Sequence, residues 1–582
     1  MIRQTTAAIL VTVALSTVAL STAAQPDPVL DSMQAELKRS LTLSLGELDK
    51  PYFISYEVDD QHIWSAGAML GGLVSSNTNS FRSPRVRIRV GDYKFDNTNW
   101  TGANAAGPRY ELRIPLEDDN PLVMRQFLWL ATDSSFKGAL QSIARKRAAL
   151  RNLTITDQLA DFTPPQPFVA LHDYTPARFD DKTWTERVRN VSKAFSAYPA
   201  LRNSSVDYTA IDSLHRLVTS EGTLLREPDT VGMVEIRAST QAADGMILRD
   251  AAEFYTRDIK KMFSEDELTK AANQIGSQLA KLAVAPMGED YAGPVLFEGM
   301  ASPQLLADLL GRNVHISRKA LSGAGGSTQA KSTDLEGRRG VRIMPEFFDV
   351  VDDPTLPLFG QEEADEEGVQ DKPVTLVEKG VLKDFLRSRQ PVRGYNDSNG
   401  RGRLAANYGA EEPVPTNLIV KARETSTIAE LRQKLLDLVQ QRGLPYAIIV
   451  RKLDFPSSAT LDEARKVIAA AGTGHPVSAP VYLYRLYPDG HEELVRGQRF
   501  RSMSARSLKD ILAAGDDSVT FNYLDNGAPF ALLGYGNGAA EVTVVAPSLL
   551  IDDLEMTRVD DEQPKLPLVP SPFLQVQTAA SR

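Results

Sequence analysis

Gly293-Pro-Val-Leu-Phe-Glu-Gly-Met-Ala-Ser302 is the stretch that decides the fold of the C-terminal half. Its apolar run over 293–297 predicts a buried strand, which a turn then ends. Ser302 and Pro303 predict the start of a helix, because serine caps helices and proline suits the first helical turn. The leucines of that helix are expected to form its buried face: Leu305, Leu306, Leu309 and Leu310.

The sequence before this stretch mixes helices and strands. Helical or alternating spacing of apolar residues predicts helices over 27–45 and 121–151 and strands over 51–58 and 62–66. Prolines at 164, 165 and 167 mark the clearest linker, since they cannot continue a helix or a central strand. Beyond it, Glu221-Gly222 and Asp244-Gly245 predict the turns of an antiparallel meander.

Two helices have well-specified starts, because each carries a capping box. Ser264 and Glu267 begin a helix that ends near Ala285, and Thr427 and Glu430 begin one that ends near residue 442. Most of the remaining C-terminal half predicts strands and hairpins, so the fold class is α+β. The predicted organisation is a signal peptide at 1–24, an N-terminal α+β domain at 25–163, a central α+β region at 168–285 (antiparallel meander plus helices), a β-rich domain at 286–560 and a Pro-rich tail at 561–582.

The N-terminus predicts export. Met1-Ile2-Arg3 gives a positive start, an apolar stretch follows over 7–20, and Ser21-Thr-Ala-Ala24 offers small residues for cleavage near Ala24. The stretch is shorter than the roughly 20 apolar residues of a membrane span. The mature protein is therefore expected in the periplasm or outside the cell, without a membrane span; a retained signal anchor is the alternative.

Composition excludes several classes of function. The 582 residues include no cysteine, which rules out disulfides, thiolate metal ligands and a cysteine nucleophile. The formal net charge of −10 argues against a nucleic-acid partner, because phosphate binding requires basic surface. A chain of this length can bury several hydrophobic cores.

The residues alone do not reveal a catalytic site. The six histidines are scattered, and no Gly-x-Ser-x-Gly elbow is present. His491-Glu492 has no second histidine one turn later, and Pro488-Asp489-Gly490 ahead of it predicts a hairpin rather than a zinc-binding helix.

Two charged segments each allow two interpretations. Arg85, Arg87 and Arg89 alternate with apolar residues, which predicts a strand with a solvated arginine face; a grip on a substrate carboxylate is the alternative. The acidic residues within 362–367 predict a solvated loop, with a site for a hard cation such as calcium as the alternative.

The C-terminal half resembles the TldD/PmbA family, metallopeptidases once called modulators of DNA gyrase. The resemblance rests on six segments in series: 293–302 quoted above, Val350-Val-Asp-Asp-Pro-Thr-Leu-Pro357, Asp365-Glu-Glu-Gly368, Val374-Thr-Leu-Val-Glu-Lys-Gly-Val-Leu-Lys383, Ser398-Asn-Gly-Arg-Gly-Arg403 and Ala546-Pro-Ser-Leu-Leu-Ile-Asp-Asp-Leu554. It implies an α+β N-terminal region and a β-rich C-terminal region that dimerise around an enclosed chamber for peptide cleavage.

The same resemblance implies a zinc motif that this sequence lacks. Catalytic members hold zinc with the two histidines of His-Glu-x-x-x-His and a downstream cysteine, and the glutamate is the general base. Here Phe297 and Ser302 stand at the histidine positions, Glu298 alone matches, and no cysteine exists. We therefore expect no metal or other cofactor, and a Glu298 that is inactive in catalysis without zinc.

The function predicted from this pattern is a non-catalytic, PmbA-like subunit for proteolysis in the cell envelope. It would pair with a zinc-bearing TldD-like subunit, or with itself, and bind an extended peptide or unfolded polypeptide by strand addition. One alternative is an active peptidase with an unrecognised site that includes Glu298 and His315. Another is an envelope scaffold unrelated to proteolysis.

Overall fold

The computed structural model describes residues 25–102, 109–111, 114–115, 119–151, 159–322, 333–405, 409, 411–470, 476–534, 538–569 and 571–572. Two large sheets, each covered by helices, organise the chain. The α+β prediction is confirmed. The predicted signal peptide at 1–24 lies outside the described residues, as does half of the predicted tail at 561–582.

The first sheet belongs to the N-terminal half. Its helices and strands are α1 (Pro28–Ser40), β1 (Pro51–Met69), β2 (Gly72–Val90), β3 (Arg109–Glu111), β4 (Ile114–Pro115), α2 (Pro121–Leu150), β5 (Val169–Leu171), α3 (Asp181–Lys193), β6 (Asn203–Thr219), β7 (Leu224–Gln241), β8 (Ile247–Thr256) and α4 (Glu265–Val284). The strand order is β3-β2-β1-β6-β7-β5, with β4 beside β2 and β8 beside β7.

This sheet consists of two similar units. Each has a helix, a long antiparallel hairpin and a second helix: α1-β1-β2-α2 and then α3-β6-β7-α4, with β8 added to the second. β1 and β6 join the units through antiparallel pairing that runs from Ser55 opposite Thr219 to Ala68 opposite Val206. The strands of the two predicted regions, 25–163 and 168–285, therefore share one sheet.

The separate strands predicted over 51–58 and 62–66 are one strand, β1. Asp59 and Asp60 interrupt the apolar alternation, yet both remain in extended backbone because cations reach them. Asp60 accepts hydrogen bonds from Arg82 and Arg216, and Asp59 bonds the imidazole of His215. Ion pairing across strands thus keeps Asp59 and Asp60 within one continuous strand.

The two faces of the N-terminal sheet differ sharply. Even-numbered residues of β1 are buried under helices, Ile54 and Tyr56 with α1 and α2, and Trp64 and Ala66 with α3 and α4. On the other face, Glu57 and Asp59 of β1 lie beside Arg85 and Arg87 of β2, and Arg87 reaches Glu411 of the C-terminal half.

The C-terminal half is built around the second sheet. Its helices and strands are β9 (Tyr291–Phe297), α5 (Ala301–Leu306), β10 (Phe348–Asp352), β11 (Val374–Glu378), β12 (Val381–Leu382), β13 (Gly402–Ala405), β14 (Glu411–Pro413), β15 (Asn417–Ala422), α6 (Ile428–Arg442), β16 (Ala447–Leu453), α7 (Leu461–Ala470), β17 (Pro480–Leu486), β18 (Glu492–Val495), β19 (Gln498–Arg501), β20 (Ile511–Asp525) and β21 (Ala540–Arg558). The order is β12-β11-β10-β15-β21-β9-β16-β17-β18, with β19 and β20 also on β21, while β13 and β14 pair separately.

Helices cover both faces of this sheet around β9. Phe297 joins the core under α5, whereas its neighbour Leu296 joins the core under α6 with Leu435. Both predicted capping boxes are present at the starts of α4 and α6. The helix predicted from Ser302 begins one residue earlier, and its last turn, Ala307–Gly311, is a π-helix. None of the helices described combines the length and the apolar character required to cross a membrane.

Candidate functional site

The motif residues lie at the end of β9, in the middle of the C-terminal sheet. β9 pairs with β16 in parallel and with β21 antiparallel, so the backbone of Phe297 is fixed on both sides. The Phe297 side chain is fully buried and packs 5.8 Å, centroid to centroid, from the ring of Phe500. Gly299 then turns the chain with a φ of +57°, a conformation that favours glycine.

Two arginines hold the carboxylate of Glu298. Arg432 on α6 donates from Nε to Oε1 at 2.6 Å and from Nη2 to Oε2 at 2.9 Å. Arg451 on β16 donates from Nε to Oε2 at 3.0 Å and also binds both oxygens of Glu492. We call these four residues the motif ion cluster. It contains two cations and two anions, so its formal charge is balanced.

The motif ion cluster makes Glu298 a weak base. Burial would raise the pKa of this carboxyl group, but the hydrogen bonds and charges of Arg432 and Arg451 outweigh burial and hold the pKa below its ordinary value. A general base must accept a proton near neutral pH. Glu298 instead stays ionised, with both oxygens already engaged.

The motif residues do not fit a zinc ion. Zinc in proteins is bound by imidazole, thiolate or carboxylate, and catalytic sites use three such ligands. Phe297 has no donor atom, and the buried Ser302 donates its hydroxyl hydrogen to the carbonyl oxygen of Pro547. The remaining donor, Glu298, is bound by two guanidinium groups.

His315 and His491 lie in other surroundings. His315 is buried in the segment after the π-helical turn, where its backbone forms a bridge with Leu386. The side chains that donate to Glu298 are Arg432 from α6 and Arg451 from β16. His491 lies in the β17–β18 turn with Nδ1 2.5 Å from a carboxylate oxygen of Asp489, in the hairpin that the sequence predicts.

The arginine row of β2 is not a solvated face, so that prediction is wrong. Arg85 pairs with Glu57 and Asp59, and Arg87 pairs with Glu411 at 2.8 Å. Arg89 is 7% exposed and donates to Asp96 at 2.9 Å and to the carbonyl of Gly409 at 3.1 Å. Loops of the C-terminal half cover the row, a tertiary contact that the strand pattern does not contain.

The acidic segment is not a solvated loop either. Asp365 and Glu367 are 1% and 6% exposed, and Asp365 accepts hydrogen bonds from the backbone N–H groups of Glu367, Val369 and Gly402. Glu367 in turn accepts from the backbone of Arg389. The backbone and the neighbouring arginines thus supply the partners that water was expected to supply.

A small cleft lies where these two segments meet. Its lining mixes cations, carboxylates, hydroxyls and two aromatic rings: Phe53, Ser55, Arg87, Arg89, Phe162, Leu217, Thr219, Glu366, Glu367, Gly409 and Glu411. Burial, followed by the charge of Glu57, raises the pKa of Glu366 to about 7. The cleft therefore places two arginines, each paired with a carboxylate, beside a carboxyl group whose pKa is raised.

One group beside the cleft has potential metal ligands. Within the described part of the chain, Glu57, Asp59 and His215 form the one set of three such residues whose ligand atoms all lie within 4.8 Å of one another. The guanidinium of Arg85 contacts both carboxylates of this set. Arg85 already supplies the positive charge that a cation would bring, so the geometry gives no reason to place a metal there.

Comparison with known proteins supports the resemblance. Residues 291–443 match the model of the PmbA/TldA metallopeptidase C-terminal domain. These residues form a domain of the TldD/PmbA family. A metalloprotease from Archaeoglobus fulgidus is 37% identical over 83 residues, which cover 14% of this chain and 19% of the relative. A metalloprotease from Methanothermobacter thermautotrophicus is 27% identical over 190 residues, covering 32% and 39%.

Solved structures of TldD/PmbA type share the fold over most of the chain. TldE from Thermococcus kodakarensis has a TM-score of 0.53 at 12% identity and covers 90% of this chain and 100% of its own. A proposed modulator of DNA gyrase from Bacteroides thetaiotaomicron has a TM-score of 0.55 at 11% identity, covering 91% and 98%. The sequence matches to the two metalloproteases span less than half of each relative's length.

Sequence reasoning found Phe297, Glu298 and Ser302 but missed what surrounds them. Arg432 is one of several charged residues on an amphipathic helix, and Arg451 lies within β16 after four apolar residues. Neither position carries a local signal for pairing with Glu298, because their sequence separations from it are 134 and 153 residues.

Proposed function

We propose that this chain is the non-catalytic, PmbA-like subunit of an exported peptidase. In this proposal, a zinc-bearing TldD-like subunit performs the hydrolysis. This chain completes the peptide chamber and helps to bind an extended peptide or unfolded polypeptide.

The observation that carries the proposal is the motif ion cluster. The position of the family's general base is occupied by a carboxylate that two arginines hold ionised, beside Phe297 and Ser302. A water molecule cannot be deprotonated efficiently by a carboxylate whose pKa lies below its ordinary value. The likeness to TldE and other proteins of this fold supports pairing with a related subunit.

The first experiment compares the chain alone with the chain bound to a zinc-bearing TldD-like subunit from the same cell. We expect the lone chain to hydrolyse no peptide and to hold no stoichiometric zinc by elemental analysis, and the complex to do both. Glu298→Gln in this chain should leave the activity of the complex unchanged. Neutralising the glutamate of the partner's own zinc motif should abolish that activity.

Peptide hydrolysis by the lone chain would contradict the proposal. Zinc-dependent hydrolysis by the lone chain, lost on Glu298→Gln, would make this subunit an enzyme in its own right. Arg423→Gln, which changes an exposed ion pair with Asp349, is the matched control for effects of a neutral amide on the same domain.

Export is part of the proposal and has its own measurement. Full-length protein expressed with residues 1–24 should be recovered from the envelope or the medium, and its intact mass should place the new N-terminus near Gln25. A full-length mass in the cytoplasmic fraction would contradict export and leave the subunit assignment to be judged by the hydrolysis assay.

A further inference from the structure

Gln25 is an exposed residue whose polar groups are nevertheless held in place. Its backbone N–H donates to Oδ1 of Asp173 at 3.2 Å, and its side-chain oxygen Oε1 accepts from the backbone N–H of Tyr174 at 3.0 Å. Its carbonyl oxygen accepts from Nη1 of Arg226 at 2.5 Å. Partners 148 to 201 residues away thus fix three of the four polar groups of Gln25.

The surroundings of this residue are anchored as well. Arg226 is 2% exposed, and it also binds the carbonyl oxygen of His172 at 2.7 Å and the carboxylate of Asp173 at 3.2 Å. On the other side, Asp27 caps α1 and accepts from Nε of Arg216 at 2.7 Å. The three contacts therefore join the start of α1 to a segment whose own position is fixed.

The proposed export makes Gln25 the N-terminal residue of the mature chain. Thr22-Ala23-Ala24 supplies the small residues that a signal peptidase accepts, and cleavage after Ala24 turns the backbone nitrogen of Gln25 into an α-amine. Such an amine can attack its own side-chain amide. The nitrogen bonds to Cδ, the Cδ–Nε2 bond breaks, and Nε2 leaves as ammonia with the proton that the amine gives up. The product is pyroglutamate, a cyclic lactam without a terminal charge.

The contacts of Gln25 suit the lactam. Cyclisation keeps one N–H group and the carbonyl oxygen Oε1, which are the groups that bind Asp173 and Tyr174. It expels Nε2, for which the described part of the chain provides no hydrogen-bond partner. An uncyclised α-ammonium would instead bring a second positive charge beside Arg226, which already pairs with Asp173. The neutral lactam avoids that competition.

The same contacts place groups that can assist the reaction. The carboxylate of Asp173 lies against the attacking nitrogen and can accept its proton. The backbone N–H of Tyr174 donates to Oε1, where negative charge develops as the amine attacks. Because Asp173 and Tyr174 are consecutive, the amine and the amide carbonyl of one residue are held at neighbouring points.

We infer that Gln25 is a modification site: as the new N-terminus it cyclises to pyroglutamate, in a site formed by Asp173, Tyr174 and Arg226. The inference rests on the export in the proposed function but not on the subunit assignment. Its consequence is a mature chain without an α-amine. Aminopeptidases that require this amine cannot start at such an end, which protects a protein expected to work beside peptidases.

The mass of the exported protein tests the modification. We expect the mass of residues 25–582 less one ammonia, and an N-terminal peptide that does not react with amine-labelling reagents. Gln25→Ala is the matched control: it should be cleaved at the same place, keep the full mass of its residues and react with the label. A wild-type chain that begins at Gln25 with a reactive amine would overturn cyclisation and leave export intact. A full-length mass would overturn both.

The role of the site is tested without export. A tag fused ahead of Gln25 and removed by a protease exposes the amine in the purified protein, and mass spectrometry then follows the loss of ammonia. The folded chain should cyclise about tenfold faster or more than a synthetic peptide of residues 25–40, because the site orients the amine and removes its proton. Equal rates would overturn the site.

Two aspartate variants isolate the base. Asp173→Asn should slow cyclisation to the rate of the peptide, and the Asp173 side chain is 78% exposed, so the fold should tolerate the change. Asp462→Asn, which changes an aspartate of α7 that is 85% exposed, should cyclise as fast as the unaltered chain. An unchanged rate in Asp173→Asn would contradict the role assigned to Asp173.

Discussion

Glu298 and Asp371 are carboxyl groups of the C-terminal half with almost equal exposure, 7% and 6%, and opposite surroundings. Two arginines donate to the oxygens of Glu298, whereas neither oxygen of Asp371 has a hydrogen-bond partner among the residues that the structure describes. The nearest cation to Asp371 is Arg401 at 3.7 Å, and it is committed to Asp352 at 2.5 Å.

The protonation of the two groups differs accordingly. Burial and nearby carboxylates raise the pKa of Asp371 well above its ordinary value, while burial of Glu298 is outweighed by its arginines and the pKa is lowered. Depth of burial alone therefore does not decide whether a carboxyl group holds a proton. Glu298, the position that the resemblance assigns to a general base, is the one that the arginines keep ionised.

The largest expected effect comes from removing the cation near Asp371. Arg401→Met should lower the free energy of unfolding of the C-terminal half by about 3–5 kcal/mol, because it leaves Asp352 buried without its partner. Chemical unfolding measures the loss. Arg423→Met removes an exposed pair with Asp349 and should cost less than about 1 kcal/mol. Equal losses would show that burial does not distinguish the two pairs.

A smaller loss is expected at the motif. Glu298→Gln should lower the free energy of unfolding by about 1–2 kcal/mol at pH 7, since charged hydrogen bonds are lost but Arg432 and Arg451 remain about one-third exposed. The pKa of Glu298 is lower in the folded state, so its contribution is present at neutral pH and is lost as the pH falls through the folded value. The two proteins should therefore converge below about pH 4. A difference that grows in acid would contradict this assignment.

The smallest effect should have the opposite sign. Because the folded-state pKa of Asp371 is raised, this group stabilises the fold while protonated and loses that contribution as the pH rises above about 4. Asp371→Asn should therefore be more stable than wild type at pH 8 and close to it at about pH 4, as thermal unfolding would show. A destabilised variant at pH 8 would mean that Asp371 is ionised and paired.

Local signals predicted the helices well and the charged segments poorly. The capping boxes of Ser264 and Thr427 gave the helix starts to within a residue, because the interactions that define them span three residues. The row from Arg85 to Arg89 and the run from Glu362 to Glu367 were each assigned to solvent. The arginine row finds its partners on β1 and in the C-terminal half, including the carbonyl oxygen of Glu366, which lies 279 residues after Arg87. No pattern within either segment indicates that pairing.

The candidate site was likewise predictable only in part. Comparing the sequence with the family pattern predicts a motif position at Glu298 without ligands at Phe297 and Ser302, because residue identity alone decides that comparison. The state of Glu298 was not predictable, since it depends on Arg432 from a helix and Arg451 from a neighbouring strand. The protonation state of Glu298 therefore depends on contacts that exist only in the folded protein.

The position of β21 has a consequence for the order of folding. This strand, residues 540–558, lies between β15 and β9 in the C-terminal sheet, although β9 precedes it by more than 240 residues. The strands on either side of β21 cannot join into one sheet until the ribosome has synthesised β21. Contacts of such sequence separation slow folding, so the C-terminal half should stay incomplete, and open to chaperones or proteases, through nearly all of synthesis.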